Sequence, residues 1–422
     1  MFQSLKYGNE LKPLVEEVEK MIKPIHEKID ERIDRNQFRV LKSYQNHKVS
    51  DSHFIPSTGY GYDDYGRDTL DKIYAEVFGG EAGLVRIQMI SGTHAIATAL
   101  YGVLRPGDEL LYITGKPYDT LEEIIGIRGQ GTGSLKEYGI TYNSVDITED
   151  GKFDFQAVAK ALKSNTKMVA IQRSKGYAAR PSFTIDQIEE IIRFVKEIKT
   201  DVVVFVDNCY GEFTEDLEPC HVGADLIAGS LIKNPGGGLA KTGGYIVGKQ
   251  KWVEACSYRL TVPGIGAEAG ASLYNLQDMY QGFFLAPHVV GQSLKGAVFT
   301  AALLERLGMN SNPKWDSKRT DLIQAVQFDD RDKMVAFCQA IQFASPINSH
   351  VTPYPAYMPG YEDDVIMAAG TFIQGASIEL TADGPTRPPY VVYVQGGLTY
   401  SHVKLAICIA LNSLLEKGLI QL

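Results

Sequence analysis

The sequence predicts an α/β protein whose central sheet is mostly parallel. The apolar run Val202–Val206 indicates a strand that is buried on both faces of a parallel sheet, and Lys167–Ile171 is predicted to be another strand. Between them, Thr184 and Gln187 form a capping box, and a helical stripe of apolar residues follows at Ile188, Ile191, Ile192, Val195 and Ile198. This strand–helix–strand order predicts a βαβ unit, in which the two strands run parallel.

The length and composition are typical of a globular protein with room for about two domains. The chain has 422 residues, of which 44% are hydrophobic and 22% are charged. We expect an N-terminal helical segment at residues 1–50, a large domain at 51–295 and a small C-terminal domain at 296–422.

Charge, hydropathy and cysteine spacing argue against several classes of protein. No segment reaches the ~20 apolar residues that span a membrane, and the N-terminus has no apolar signal core, so we expect a cytoplasmic protein. A net charge of −9 argues against a general affinity for nucleic acid. The five cysteines form neither a metal-binding Cys-x-x-Cys pair nor a secreted disulfide framework. We therefore expect reduced cysteines and no metal site.

The chain before the βαβ unit alternates helices, strands and a loop. Apolar positions among many charges predict an amphipathic helix over residues 8–35. A loop rich in glycine and tyrosine follows at Thr58–Thr69. Strands are then predicted at Arg86–Ile90 and Glu109–Ile113, with a helix beginning between them at Ser91.

The C-terminal third has the pattern of a small α+β domain. Helical periodicity covers residues 266–280 and 288–307, and the second of these helices is long enough to link two domains. Short strands are predicted at Val365–Phe372, Ser377–Leu380 and Tyr390–Gln395, followed by a last helix at Tyr400–Lys417.

A carboxylate and an amine follow two consecutive predicted strands. Asp207 ends the Val202–Val206 run, and a second apolar run, Leu226–Ala228, leads to Ser230 and Lys233. Ligands of open α/β sheets bind at the carboxyl ends of the strands. Pyridoxal phosphate requires a lysine for a Schiff base and a carboxylate that keeps its pyridine nitrogen protonated, so the pair predicts this cofactor. Either residue alone is more often a turn former or a solvated charge.

The stretch from Ser230 to Gly243 partly matches two other known motifs, and neither match holds. Ser230-x-x-Lys233 followed by Lys241-Thr242-Gly243 imitates the serine β-lactamases, but only eight residues separate the two lysines, whereas those enzymes carry the second motif far downstream. The glycine-rich run at 236–242 is not a P-loop, because Ala240 replaces the required glycine.

The spacing of Asp207, Tyr210 and Lys233 resembles that of the fold type I pyridoxal phosphate enzymes. The resemblance implies a large domain with a mostly parallel sheet and a small C-terminal α+β domain. It implies that Asp207 pairs with the pyridinium nitrogen, that Lys233 forms the Schiff base and that Tyr210 hydrogen-bonds the ring hydroxyl. Ser230 belongs to the implied cofactor-binding set.

Ser91-Gly92-Thr93 begins a predicted helix, where unpaired backbone N–H groups favour an anion. The segment resembles the phosphate loop of the cystathionine and methionine lyases. A Ser-Gly-Thr helix start alone is a common N-cap. In the same family, a tyrosine at the position of Tyr118 stacks on the cofactor ring, so the resemblance implies that role for Tyr118.

The resemblance also implies a site shared between subunits. The lyases carry a Tyr-x-Arg element that reaches the cofactor phosphate of the neighbouring subunit. The arginine is missing here at that offset, so Tyr60, Tyr62 or Arg67 would take its place. We therefore expect a homo-oligomer, a dimer of dimers.

Two arginines are candidates for binding the substrate. Arg387 is expected to bind the substrate carboxylate bidentately. Arg173 and Lys175 lie where the lyases carry Ser-Pro-x-Asn-Pro, so they are site candidates; their roles and that of His94 stay open.

The chain most resembles the aluminium-resistance protein group, which is similar to methionine γ-lyase and cystathionine β-lyase. The segments that carry this resemblance are Ser91–Ile96, Asp207–Phe213 and Ala369–Leu380. The resemblance implies a carbon–sulfur lyase that acts on cystathionine, methionine, cysteine or a similar amino acid. An aminotransferase and a non-catalytic regulatory relative stay open as alternatives.

Overall fold

The computed structural model describes residues 2–358 and 361–422, and its larger sheet has seven strands in the order β1-β7-β6-β5-β4-β2-β3. The strands are β1 Ala82–Arg86, β2 Glu109–Tyr112, β3 Thr141–Ser144, β4 Thr166–Gln172, β5 Val203–Asp207, β6 Leu226–Ser230 and β7 Gly244–Gly248. Strands β3, β2, β4, β5 and β6 run parallel, whereas β7 is antiparallel to both β6 and β1. The prediction of an α/β fold with a mostly parallel sheet is confirmed.

A second sheet of five antiparallel strands follows in the chain. Its order is β10-β11-β12-β9-β8. The strands are β8 Asn310–Asn312, β9 Gln324–Gln327, β10 Val365–Ala368, β11 Thr381–Pro385 and β12 Val391–Gln395.

Ten α-helices lie within the described residues. They are α1 Gly8–Asn46, α2 Tyr65–Phe78, α3 Gly92–Val103, α4 Asp119–Ile125, α5 Phe155–Ala161, α6 Ile185–Ile198, α7 Gln250–Leu260, α8 Leu276–Arg306, α9 Arg331–Phe343 and α10 Tyr400–Glu416. The capping box of α6 is confirmed, because the Thr184 hydroxyl accepts from the Gln187 backbone N–H while the Gln187 side chain accepts from the Thr184 N–H. None of the helices in residues 2–358 and 361–422 is long and apolar enough to cross a membrane.

Helices α1 and α8 are longer than predicted and pack together. Helix α1 continues to Asn46, and α8 is a single helix through Pro287 where two helices were predicted. At Gly291 in α8, an added Cβ would lie 2.1 Å from Cδ1 of Ile33 in α1, so the two helices are closely packed at this glycine. The expected domain boundary at 295/296 lies inside α8; the division into domains stays a prediction.

Two strand predictions are wrong in position. The strand predicted at Arg86–Ile90 is β1, which ends at Arg86. The strand predicted at Ser377–Leu380 is replaced by a turn, and β11 begins at Thr381. The carboxylate of Glu379 accepts two backbone N–H groups from residues 372 and 373, which holds the chain in a compact loop instead of a strand.

Candidate active site

Asp207 and Lys233 lie at the carboxyl ends of neighbouring parallel strands. Asp207 is the last residue of β5 and is in register with Ala228 of β6, while Lys233 follows the end of β6 by three residues. The Asp207 carboxylate is buried and accepts a hydrogen bond of 3.1 Å from the backbone N–H of Cys209. The two side chains line one small cavity of about 50 Å³.

Helix α3 begins at the same cavity. The hydroxyl of Ser91 caps the helix by accepting from the His94 N–H at 3.1 Å, and the first N–H groups of a helix have no carbonyl partner within the helix itself. Thr93 lines the cavity with Lys233. An added Cβ on Gly92 would lie 3.1 Å from Cβ of Ser230, so the helix start and the end of β6 are closely packed.

Tyr118 and Tyr210 bring aromatic rings to the cavity. Tyr118 precedes α4, and its hydroxyl lies 2.7 Å from the hydroxyl of Tyr361. Tyr210 has a φ of 71°, a conformation that non-glycine residues rarely adopt, and its ring lies under the Lys233 ammonium. The Ser377 hydroxyl donates to the Tyr210 hydroxyl at 3.1 Å.

The protein's own charges favour the ionised form of Lys233. Burial acts to lower the pKa of Lys233, but Cys209, Tyr210 and Asp207 act in the opposite direction and the pKa is raised. Burial also raises the pKa of Asp207, although the Lys233 charge opposes this. The protein groups around Lys233 therefore do not by themselves lower its pKa.

The side chains around the cavity fit pyridoxal phosphate. They supply an amine, a carboxylate, aromatic rings and a helix N-terminus, each of which this cofactor requires. Gln172, adjacent to Asp207 in the sheet, has a buried side-chain oxygen that no described residue hydrogen-bonds. The small cavity shares Tyr118 and Gln172 with a larger one of about 520 Å³, so the two adjoin.

The sequence profile described as methionine γ-lyase matches residues 11–415. The chain belongs to the methionine γ-lyase family. The protein is accordingly a pyridoxal phosphate-dependent carbon–sulfur lyase with the fold type I architecture, as the sequence predicted. Enzymes of this family use amino-acid substrates.

Similar proteins extend over nearly the whole chain. Protein YnbB of Bacillus subtilis strain 168 is 75% identical over 421 residues, which is 100% of both chains. A solved structure of a Bacillus cereus protein is 76% identical, with a TM-score of 0.94, and covers 96% of this chain and 99% of its own. The structure of a carbon–sulfur lyase involved in aluminium resistance from Clostridium novyi NT is 48% identical, with a TM-score of 0.92, over 96% of each chain. The resemblance to the aluminium-resistance group is thus confirmed.

Arg173 of this methionine γ-lyase family member does not face the cavity. Its guanidinium is fully buried and contacts Asn208 at 2.8 Å, Glu215 at 3.2 Å and Glu218 at 3.4 Å. The structure therefore does not place Arg173 where it could bind substrate at Lys233, contrary to the expectation. It links the loop after β4 to the 208–218 segment.

Three other candidates lie outside the small cavity. Arg387 is half-exposed, pairs with Asp363 at 2.6 Å and lines the larger cavity that adjoins Tyr118. Lys175 donates from Nζ to the backbone and side-chain oxygens of Asn312 at 3.0 and 2.8 Å. His94 accepts from the Ile90 N–H at 3.2 Å, so its ring braces the loop before α3.

The tyrosine-rich loop is exposed apart from its arginine. Tyr60 and Tyr62 are 72% and 53% exposed and stack on each other with ring centroids 5.4 Å apart. Arg67 is buried and donates to the backbone oxygens of Gly61 and Gly270, so it braces this loop and does not reach outward. Of the three residues proposed for the subunit contact, only the two tyrosines are free to make one.

Two buried acids near the site were missed by sequence reasoning. Burial raises the pKa of Glu212 to about 8, opposed in part by a 2.7 Å hydrogen bond from the Tyr245 hydroxyl. Burial likewise raises the pKa of Asp383 to about 6, opposed by hydrogen bonds from Tyr177 and Gln395. Glu212 follows Tyr210 by two residues in a stretch already assigned to the site, so its position in the sequence could have indicated it. No motif or neighbouring site residue in the sequence indicates Asp383.

Proposed function

We propose that this carbon–sulfur lyase removes the α-proton of a sulfur-containing amino acid and eliminates a thiol from it. The substrate class comprises cystathionine, methionine, cysteine and similar amino acids. The observation that carries the proposal is the position of Lys233, which lies beside a buried carboxylate, Asp207, and over the ring of Tyr210 in one cavity.

Lys233 is the group we assign to both proton transfers. Its Nζ lies over the Tyr210 ring in the cavity that Asp207 and Thr93 also line, so the amine, once deprotonated, can act as a general base toward a substrate bound there. It takes the proton from the substrate α-carbon and can return a proton to the departing sulfur, so one residue serves both steps.

The remaining site residues would bind and orient the cofactor. Pyridoxal phosphate, when bound, accepts the electron pair left on the α-carbon. Asp207 would hold the pyridine nitrogen of the cofactor, and the first turn of α3 with Ser91, Gly92 and Thr93 would hold its phosphate. The residue Tyr118 lines both the small and the larger cavity, and from there its ring would stack on the cofactor ring.

Arg387 is the residue we assign to the substrate carboxylate. It lines the larger cavity next to Tyr118, so a substrate that reaches Lys233 passes it. Its present partner Asp363 is exposed, and an exposed ion pair stabilises the protein by only ~0–1 kcal/mol. Breaking the ion pair with Asp363 in order to bind a substrate carboxylate therefore costs little free energy.

The deciding assay gives cystathionine, cysteine and methionine separately to the cofactor-loaded enzyme. Thiol, ammonia and keto acid are measured over many turnovers. We expect sustained release of all three products from at least one substrate, and none from Lys233→Ala.

The competing aminotransferase reaction gives a different result in the same assay. Without an added keto acid it stops after one stoichiometric half-reaction. If transamination products accumulate and no thiol or ammonia appears from any of the three substrates, elimination is the wrong reaction. A protein that turns over none of them would favour a regulatory role.

A further inference from the structure

A second cavity, of about 440 Å³, lies between the loop after β4 and the segment that joins β8 to β9. We call it the β8 cavity. Four cationic residues line it, Lys175, Lys314, Lys318 and Arg319, against one carboxylate, that of Asp321. This excess of positive charge distinguishes it from the active-site cavity, where Lys233 faces Asp207.

Arg319 lines this cavity, and its guanidinium is only partly hydrogen-bonded by the described residues. The residue is 5% exposed, and its Nε and Nη1 atoms are buried without a hydrogen-bond partner among the described residues. Its Nη2 donates to Gln324 at 2.6 Å and to the Ala297 carbonyl at 3.4 Å, which fixes the guanidinium in place. Buried donors of a charged group that lack a hydrogen-bond acceptor destabilise the protein. Arg319 is one of the residues that line the cavity, so its positive charge attracts an anion that binds there.

Lys175 forms a second buried wall of the same cavity. It is 2% exposed, and Asn312 accepts from its Nζ at two atoms, which leaves the third hydrogen without a contact to Asn312. Burial lowers the pKa of Lys175 to about 8, so the ammonium is still the main form at neutral pH. An approaching anion would favour that form further.

The carboxylates nearby are already engaged. Asp321 accepts from the hydroxyls of Ser174 and Ser182. At the mouth, Lys318 contacts Glu215 at 2.8 Å and Asp186 at 3.2 Å, and it is half-exposed. The pair with Asp186 is exposed and exchanges readily for another anion, whereas the Glu215 carboxylate is buried and also pairs with Arg173.

We propose that the β8 cavity binds the phosphoryl group of a small phosphate monoester. Four cationic residues line the cavity, and several cations suit the several acceptor oxygens of a phosphoryl group better than a single carboxylate. The volume also falls within the ~300–1,000 Å³ range of small-molecule sites and leaves room for an organic part beyond the phosphoryl group. This site is separate from the start of α3, which we assign to the cofactor phosphate.

The ligand would contact the active-site region through two residues. Lys175 also lines the larger cavity beside Tyr118. Ser174 donates to Asp321 at 2.8 Å and lines the small cavity with Lys233. Occupation of the β8 cavity therefore acts on the loop that forms one side of the catalytic site.

The test is calorimetric titration of the cofactor-loaded protein, in which the start of α3 is already occupied. The probes are glycerol 3-phosphate, inorganic phosphate and acetate. We expect one saturable site per chain for glycerol 3-phosphate, weaker binding of inorganic phosphate and no saturable binding of acetate. If inorganic phosphate binds as tightly as the ester, the ligand is free phosphate and the monoester assignment is wrong.

Two variants locate the binding. Arg319→Gln should weaken glycerol 3-phosphate binding by about tenfold or more, because it removes charge-assisted hydrogen bonds. Lys314→Ala with Lys318→Ala, at exposed positions, should weaken it as well. The matched control Lys152→Ala, an exposed lysine outside the cavity that pairs with Asp150, should change nothing.

A crystal soak keeps the proposal testable if Arg319→Gln does not fold. Arsenate, a phosphate analogue that scatters anomalously, should give a peak between Arg319 and Lys175 in the cofactor-loaded protein. Absence of saturable binding, unchanged binding in a folded Arg319→Gln variant, or an arsenate peak only elsewhere would overturn the proposal.

Discussion

The ammonium of Lys233 lies 4.1 Å from the centroid of the Tyr210 ring. A cation at this distance over an aromatic face is stabilised by roughly 0.5–2 kcal/mol, depending on burial. Tyr210 is itself held by the loop before β11, because Ser377 donates to its hydroxyl. The position of Lys233 therefore depends on a residue after β5 of the larger sheet, Tyr210, and on one before β11 of the second sheet, Ser377.

The first prediction concerns the attachment of the cofactor. The purified enzyme should absorb visible light, and Lys233→Ala should lose the visible band, because the Schiff base needs this amine. An absorbance spectrum after incubation with pyridoxal phosphate measures it. Lys241→Ala is the matched control, since this lysine lies in the same stretch, is exposed and pairs with Asp278. A native protein that stays colourless with added cofactor would show that the assignment is wrong.

The second prediction concerns the charge on Asp207. Asp207→Asn keeps the size of the side chain and can still accept from the Cys209 N–H, but it removes the negative charge. Turnover should fall by roughly two orders of magnitude, the scale of lost electrostatic stabilisation at a reacting centre. Cofactor binding should weaken as well. Asp201→Asn, at an exposed position before β5, serves as the control. Equal turnover in Asp207→Asn and wild type would refute this role.

The third prediction is a pH dependence of stability due to Glu212. In the folded protein the pKa of Glu212 is about 8, above the ordinary glutamate pKa of 4.5, so the folded protein holds a proton that the unfolded chain releases between these values. Stability should therefore fall as the pH rises from about 4.5 through 8. Glu212→Gln, which can still accept from Tyr245, should remove that loss and be more stable than the wild type at pH 9, by on the order of 4 kcal/mol.

Chemical denaturation across this pH range measures the effect. Glu189→Gln, at an exposed position on α6, should follow the wild-type curve. Parallel curves for the wild type and Glu212→Gln would mean that Glu212 is ionised in the folded protein. Tyr245 donates to this carboxylate, and the other titratable groups close enough to interact with it are Glu218, Lys233, Cys209 and Tyr74.

The ends of the strands could be predicted from the sequence, but the apolar pattern alone did not show to which face each side chain points. Asp207 and Lys233 follow apolar runs whose ends the periodicity locates, so both lie where the sequence indicates. Arg173 was misassigned because successive residues of an extended chain point to opposite faces. Gln172 and Ser174 line the cavity, and Arg173 between them points into the protein.

Other features required the tertiary structure. The contact of Ser377 with Tyr210 joins residues 167 positions apart. The burial of Asp383 depends on packing between the second sheet and the 177 loop, which no local pattern encodes. Glycine and tyrosine content marked Thr58–Thr69 as a loop but could not show that Arg67 turns inward.

The last prediction is that the active site is shared between two copies of the chain. Tyr60 and Tyr62 are exposed, and their loop is fixed by hydrogen bonds from Gly270 and Arg67 instead of moving freely. Exposed apolar side chains surround it on adjoining segments, namely Ile55, Tyr65, Ile90, Leu273 and Tyr274. Ile90 directly precedes Ser91 at the start of α3. An apolar surface beside the cofactor-phosphate position suits a reciprocal contact with a second copy.

Subunit mixing tests this arrangement. Lys233→Ala lacks the amine, and the double variant Tyr60→Ser with Tyr62→Ser lacks the tyrosines, so each should be nearly inactive alone. In a mixed dimer, the subunit with Lys233 receives both tyrosines from its partner, and one of the two sites is intact. Random pairing makes half of the dimers mixed, so activity should recover to about one quarter of the wild-type value. Light scattering should show that each variant still associates. Recovery of no activity by two associating variants, or a fully active monomer, would show that each chain builds its site alone.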